Sequence, residues 1–301
     1  MRMKLGLRGL IAAPHTPFNP VGDVDCSVVP MQVDALVRNG VAGAFVCGTT
    51  GEGLSLTIAE RMAVLDAWLG AKPAGFYVIA HVGAAAERDA IALTTHAVKS
   101  GADAVAALPC FYHRPASVDA AVDSLAAVAS AADGVPTYYY HLPGLTQVDF
   151  SMMDFVGKAA RIPNFAGCKY SKPDLLEYAR MVSEFGAVFD LPWGCDEHYL
   201  SATLAGAVSY VGSTYNHSAQ LYHKLQAAIN NGRLCDARQL SSNVQQLIRM
   251  LLTGGVIPTQ KRILTAVGLP VGDVRPPLEY ASTDELVASV IATGWVDYGE
   301  V

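Results

Sequence analysis

The sequence predicts an α/β protein, a closed (β/α)8 TIM barrel with a C-terminal helical extension, on three observations. A short unit recurs in which a helical pattern ends in glycine and an apolar, β-rich run follows within a residue or two. The apolar runs are continuous rather than alternating, which marks parallel strands buried on both faces. Eight such runs fall before residue 215, with Ala-rich helical stretches between them, so right-handed crossovers can close a barrel.

The first predicted strand is 10–13, followed by a helix over 27–38. Gly40 stops that helix and leads into strand 41–46. Helix 57–69 connects to strand 76–82, and helix 87–99 ends at Gly101 ahead of strand 102–108. Helix 117–131 runs to Gly134, where strand 135–140 begins. Helix 151–160 leads to strand 165–169 and helix 173–185 to strand 188–193. Helix 197–204, closed by Gly206, precedes strand 207–211, and helix 218–230 completes the eighth unit. A doubly wound sheet would compete with this reading, but a dinucleotide fold wants G-x-G-x-x-G after its first strand, and that pattern is missing there. Beyond about residue 232 the strand signal stops. Helices over 234–252, 259–267 and 283–292 are separated by Gly254-Gly255 and by the Pro270 to Pro277 stretch. The division expected is a catalytic barrel over 1–232 and a helical extension over 233–301.

Composition narrows the class. Of the 301 residues 51% are hydrophobic and 16% charged, against about 25% charged in ordinary globular chains, which excludes disorder. Runs are broken by Gly, Pro and charges well short of the ~18 to 20 apolar residues of a membrane helix. A net charge of −6 without any Lys/Arg block argues against a nucleic-acid or membrane partner. The start, Met1-Arg2-Met3-Lys4-Leu5, leads into no apolar leader segment, so a cytoplasmic protein is expected. Six widely spaced cysteines without C-x-x-C read as reduced structural thiols.

In a parallel barrel, chemistry is assembled where the strands end. After the second strand comes Gly48-Thr49-Thr50-Gly51-Glu52-Gly53, whose hydroxyls and N–H groups can converge on a carboxylate. The alternative is a plain glycine turn in which Glu52 and Ser55 help cap the next helix. The sixth strand ends on Lys169. Burial disfavours a lysine's charge, and a neutral amine attacks a ketone to form a Schiff base. The alternative here has Lys169 emerge into solvent and pair with Asp174, while Lys172, beside Pro173, is expected to be exposed. The fifth strand ends Tyr138-Tyr139-Tyr140-His141, where period-two geometry puts Tyr138 and Tyr140 on one face and Tyr139 on the other. A phenol facing the barrel can exchange protons with substrate; the competing fate is aromatic packing. The last two strands end in Gly194-Cys195-Asp196-Glu197 and Gly212-Ser213-Thr214-Tyr215-Asn216, groups suited to polyol hydroxyls. A metal would have to recruit Asp196, Glu197 and His198, or His217 with His223, and no H-E-x-x-H or paired spacing supports either.

Taken together, Gly48 to Glu52, Tyr140 to Pro143 and Gly167-Cys168-Lys169-Tyr170-Ser171 resemble the G-[ST]-T-G-E, Tyr-x-x-Pro and lysine motifs of the class I, Schiff-base aldolase family of dihydrodipicolinate synthase and N-acetylneuraminate lyase. The resemblance spans nearly the whole chain. It implies a (β/α)8 barrel with a helical carboxyl-terminal extension, a homotetramer, and no metal or organic cofactor, the substrate being held covalently on Lys169. The run 138–146 and the two last strand ends resemble the sialic acid lyase branch, with Leu145 where the synthases carry arginine. Gly144, Gln147 and Thr49 depart from that branch's Ala, Gly and Ser.

By the same resemblance Lys169 forms the iminium and Tyr140 moves the proton, relayed through Thr49 and through Tyr112 of a neighbouring subunit. Thr49 and Thr50 would fix the substrate carboxylate. Ser171, Gly194, Asp196, Glu197 and Ser213 would hold a polyol chain. The implied activity is cleavage of a 2-oxo sugar acid, N-acetylneuraminate to N-acetylmannosamine and pyruvate. A 2-keto-3-deoxy sugar acid aldolase or a dihydrodipicolinate synthase-like enzyme is the alternative. From other classes, a non-catalytic sugar-acid binder is disfavoured by retention of the lysine, tyrosine and hydroxyls, and a metal-dependent barrel hydrolase by the scattered histidines.

Overall fold

A computed structural model describes residues 4–279 and 281–297; the reading of residues 1–3 as the start of a leaderless chain lies outside them. The strands β1 (Gly9–Ala12), β2 (Gly43–Val46), β3 (Tyr77–His81), β4 (Ala104–Ala107), β5 (Thr137–His141), β6 (Phe165–Tyr170) and β7 (Ser209–Gly212) form one parallel sheet in the order β6-β5-β4-β3-β2-β1-β7. Helices α1 (Val29–Arg38), α2 (Ile58–Ala71), α3 (Glu87–Ser100) and α4 (Val118–Ala131) alternate with the early strands. Next come α5 (Pro143–Thr146), α6 (Met152–Ala159), α7 (Leu175–Phe185), α8 (Tyr199–Leu204) and α9 (Ala219–Asn230). The four glycines expected to stop helices, Gly40, Gly101, Gly134 and Gly206, all adopt positive φ, the conformation that turns a helix end back toward the sheet.

One expected strand is absent as a regular element, and its absence has a covalent cause. Residues 188–193 form only isolated bridges, Gly167 with Asp190, Tyr170 with Trp193 and Trp193 with Tyr210. Pro192 has no N–H to give to a ladder. The segment nevertheless closes the ring. Asp190 O and Pro192 O accept from Cys168 N (3.0 Å) and Tyr170 N (2.9 Å), while Trp193 exchanges bonds with Ser209 O and Val211 N at 3.0 and 2.8 Å. It is the eighth stave between β6 and β7.

Period-two alternation sorts the strand side chains into two cores. Ile11, Phe45, Ile79, Ala106, Tyr138, Tyr140, Ala166 and Val211 fill the barrel. Their sequence neighbours Leu10, Ala44, Val78, Val105, Tyr139, Phe165 and Tyr210 face the helices. Burial on both faces explains why these strands read as unbroken apolar runs. After α9, helices α10 (Leu234–Thr253), α11 (Val256–Ala266) and α12 (Asp284–Ala292) pack back on the barrel, α10 lying along α9. The α11 helix starts earlier than expected, because Pro258 is tolerated in a first turn, where an N–H would have no helical partner. No helix among the described residues is long and apolar enough to cross a membrane.

Candidate active site

The lysine is aimed by an irregularity in its own strand. Thr137 pairs with Phe165, but Tyr138 pairs with Gly167, so β6 carries one extra residue opposite β5. Strict alternation from Ala166, which faces the barrel, would turn Lys169 outward. The extra residue inverts the parity beyond it: Cys168 and Tyr170 join the outer core and Lys169 turns in. Only glycine fits at the inversion, since a Cβ on Gly167 would stand 1.8 Å from Asp190 O and φ is +152°. Lys169 is 5% exposed, with Nζ 3.9 Å from the ring centre of Tyr140 and 4.2 Å from that of Phe45. Asp174, the partner offered by the alternative, instead accepts from Glu177 N as the cap of α7. Lys172 is partly exposed and pairs with Asp149 at 3.0 Å.

Tyr140 is clamped edge-on by Phe45 and His81, with ring centres 5.3 and 5.7 Å away. Its hydroxyl lies 3.4 Å from Thr49 Oγ1. Thr49 and Thr50 come from the glycine turn, which Gly53 N closes onto Gly48 O (3.1 Å) and Thr16 Oγ1 ties down through Gly51 O (2.6 Å). Gly53 has no room for a side chain, because a Cβ there would be 1.9 Å from Cys47 O.

Glu52 does not cap α2, whose capping box is Thr57 with Glu60. It is fully buried against the tail. Its Oε1 accepts from Lys261 Nζ of α11 at 3.1 Å and its Oε2 from Arg275 N at 2.9 Å. Desolvation outweighs the pull of Glu52 and lowers the Lys261 amine to about 8.

Thr49, Thr50, Tyr140 and Lys169 share one cavity of about 300 Å³ with Gly194, Asp196, Glu197 and Ser213. Asp196 Oδ2 accepts from Thr214 N and Oγ1 at 3.0 and 2.6 Å. Its Oδ1 sits 1.7 Å from where a Cβ on Gly212 would be. Burial pushes the Asp196 carboxyl up. Two expected residues lie elsewhere. Ser171 is not part of the lining, and its Oγ is buried against Gly194, within 2.0 Å of a Cβ position. Tyr112 is 79% exposed, its ring edge-on to His113, and it does not line the cavity of its own chain.

The sequence reading missed the apolar wall, in which Ile248, Leu251 and Leu252 of α10 and Val256 of α11 cover the side next to the last strands. Helices over 234–252 and 259–267 are legible in the sequence, but not which of their faces meets the barrel. Chemically, the arrangement offers an amine, a phenol, two hydroxyls and a buried carboxylate around a space of small-molecule size.

Residues 6–291 match the model of the dihydrodipicolinate synthetase family. The chain is 38% identical over 295 residues to N-acetylneuraminate lyase of Rattus norvegicus, covering 96% of this chain and 92% of that protein. The Homo sapiens N-acetylneuraminate lyase is 37% identical over 287 residues, covering 93% and 90%. Among solved structures, the N-acetylneuraminate lyase (sialic acid aldolase) of Aliivibrio salmonicida superposes with a TM-score of 0.93 at 34% identity, covering 98% of this chain and 99% of that one.

Proposed function

The chain belongs to the dihydrodipicolinate synthetase family, and we propose that it is a Schiff-base lyase cleaving N-acetylneuraminate to N-acetylmannosamine and pyruvate. The observation that carries the reading is Lys169, turned by the Gly167 bulge into a cavity where Tyr140 and Thr49 stand together. Relatives carrying that lyase name at 37–38% identity support the substrate.

Nζ of Lys169 adds to the C2 ketone of the open-chain 2-oxo acid, and loss of water leaves an iminium. Thr49 and Thr50 hold the carboxylate so that C2 stays against the amine. Tyr140 Oη accepts the C4 hydroxyl proton as the C3–C4 bond breaks and its electron pair moves into the iminium. The aldehyde leaves, and the enamine on Lys169 takes a proton at C3. Water then releases pyruvate and restores the amine. No metal or organic cofactor enters these steps.

A free phenol is a weak base at neutral pH, so Tyr140 needs a relay. The Thr49 hydroxyl at 3.4 Å supplies one link. The outward Tyr112 supplies the next from a neighbouring subunit of a homotetramer. Mixing inactive Tyr112→Phe and Lys169→Ala chains should then restore activity, because some sites receive an intact lysine and a neighbour's intact tyrosine; a mixture as dead as its parts rules the shared site out.

The main test is borohydride with pyruvate. Reduction should leave a pyruvyl adduct on Lys169 and abolish turnover, and Lys169→Ala should stay folded and inactive. An unmodified Lys169, or activity lost to a chelator, would overturn the proposal. Pyruvate release from N-acetylneuraminate beside 2-keto-3-deoxy sugar acids, and condensation with aspartate semialdehyde, separate the branches of the family.

A further inference from the structure

Behind the cavity wall a chain of buried polar groups ends on Ser213. Gln32 Nε2 of α1 donates to His15 O at 2.8 Å. His15 Nε2 lies 2.9 Å from Gln260 Oε1, and Gln260 Nε2 donates to Ser213 Oγ at 3.0 Å. Gln260 and His15 are fully buried and outside the lining; Ser213 is part of it.

The direction of these bonds follows from the histidine. His15 Nδ1 has no partner among the described residues, and a buried bare nitrogen is tolerated better than an orphaned N–H. Burial and the nearby Lys261 charge hold the ring neutral, with its pKa down to about 3. Its single proton therefore sits on Nε2 and is donated to Gln260 Oε1. That leaves the Gln260 amide N–H facing Ser213, whose oxygen accepts. A hydroxyl that accepts from the protein has its own proton to give. The Ser213 backbone is fixed as well, its carbonyl accepting from Asn216 Nδ2 at 2.7 Å, so the hydroxyl rotor is the remaining freedom at this position.

We propose that Gln260 is a positioning residue that turns Ser213 into an obligate hydrogen-bond donor facing the cavity, matched to an oxygen on the polyhydroxylated end of the substrate. The inference rests on the lyase reading and adds to it a specificity device supplied by the tail helix. It acts on the far end of the substrate and leaves the amine chemistry alone.

The test uses the full chain with N-acetylneuraminate as substrate and, separately, pyruvate with borohydride as a probe of Lys169. Gln260→Glu keeps shape but offers acceptors only, so it captures the Ser213 proton and turns it from the cavity. The KM for N-acetylneuraminate should rise about tenfold, the range of one lost hydrogen bond, while trapping of pyruvate proceeds as in the unsubstituted protein. Ser213→Ala should raise KM similarly, and the double variant should add little further. Gln260→Met, which has no amide and adds no charge, frees the rotor and should raise KM roughly threefold; it decides the matter if the Glu variant does not fold. A KM within 1.5-fold of the unsubstituted protein in the folded variants overturns the proposal, as does an equal loss in pyruvate trapping. If the unsubstituted protein forms no pyruvate adduct, the lyase reading fails and takes this inference with it. An adduct with an unmoved KM removes this inference alone.

Discussion

Replacing Lys261 with Met tests whether the tail holds the glycine turn. The substitution keeps an apolar stem of similar length and deletes the charge. In the protein Nζ sits 3.1 Å from Glu52 Oε1 and 2.6 Å from Asp273 O, 4.1 Å from the ring centre of Phe18. Both side chains of the pair are 0% exposed. Breaking a buried pair by removing one partner costs about 3–5 kcal/mol, because a buried charge is left unpaired. Glu52 keeps the bond from Arg275 N, which argues for the lower end, about 3 kcal/mol. For a chain somewhat larger than those where 1 kcal/mol moves Tm by roughly 2–4 °C, the fall should be about 5–8 °C. Glu52→Gln together with Lys261→Met replaces both charges, so it should recover most of the loss.

Thermal melts of Lys261→Met, Glu52→Gln and the double variant at pH 7 give the coupling energy, the double's loss less the sum of the two single losses. The KM for the 2-oxo acid should rise in the single variant as well, because Glu52, at a strained φ of 53°, belongs to the turn that presents Thr49 and Thr50. A single variant melting within 2 °C of the unsubstituted protein, or losses that simply add in the double, would refute the idea that this pair fixes the turn.

Gly167→Ala should leave little folded protein: its Cβ would overlap Asp190 O at 1.8 Å, and relieving the clash requires undoing the bulge that turns Lys169 inward. Any soluble fraction should fail to trap pyruvate, and normal trapping would contradict the parity argument. Acid should destabilise the protein, since burial holds His15 down to about 3 and His141 and His217 down to about 4. Unfolded histidine titrates near 6.5, so unfolding takes up protons as pH falls from about 6.5 to 4, and each histidine adds up to about 1.4 kcal/mol of lost stability per pH unit. Denaturant midpoints that stay constant from pH 7 to 5 would contradict that sign.

The layer plan was legible because its signals are local. A helix end needs a positive φ within one residue, and a strand buried on both faces needs consecutive apolar residues, so Gly40, Gly101, Gly134 and Gly206 and the runs after them could be placed from the sequence. The single irregular stave, residues 190–193, has the hydrophobicity of a buried strand but contains Pro192, whose missing N–H interrupts the ladder. Where the chain must meet itself across more than two hundred residues, composition carries no such mark. Glu52 with Lys261 and His15 with Gln260 are pairings of this kind. Each of these residues alone reads as ordinary turn or helix surface.

The lysine lies between those cases. From residue types alone, a lysine behind an apolar run could face either way, and simple alternation from Ala166 favours the helix side of the sheet. What decides is a backbone insertion that only Gly167 allows, opposite the Thr137–Tyr138 step of the neighbouring strand. The glycine two places before the lysine is therefore part of the catalytic proposal in a physical sense. It contributes no atom to the chemistry, yet it selects the face on which the amine emerges. The same logic extends to Gly212, whose missing side chain makes room for Asp196 Oδ1 beside the cavity. In this barrel the reactive groups are set by which strand ends lack a Cβ, and a reading that ranks only polar residues passes over the positions that aim them.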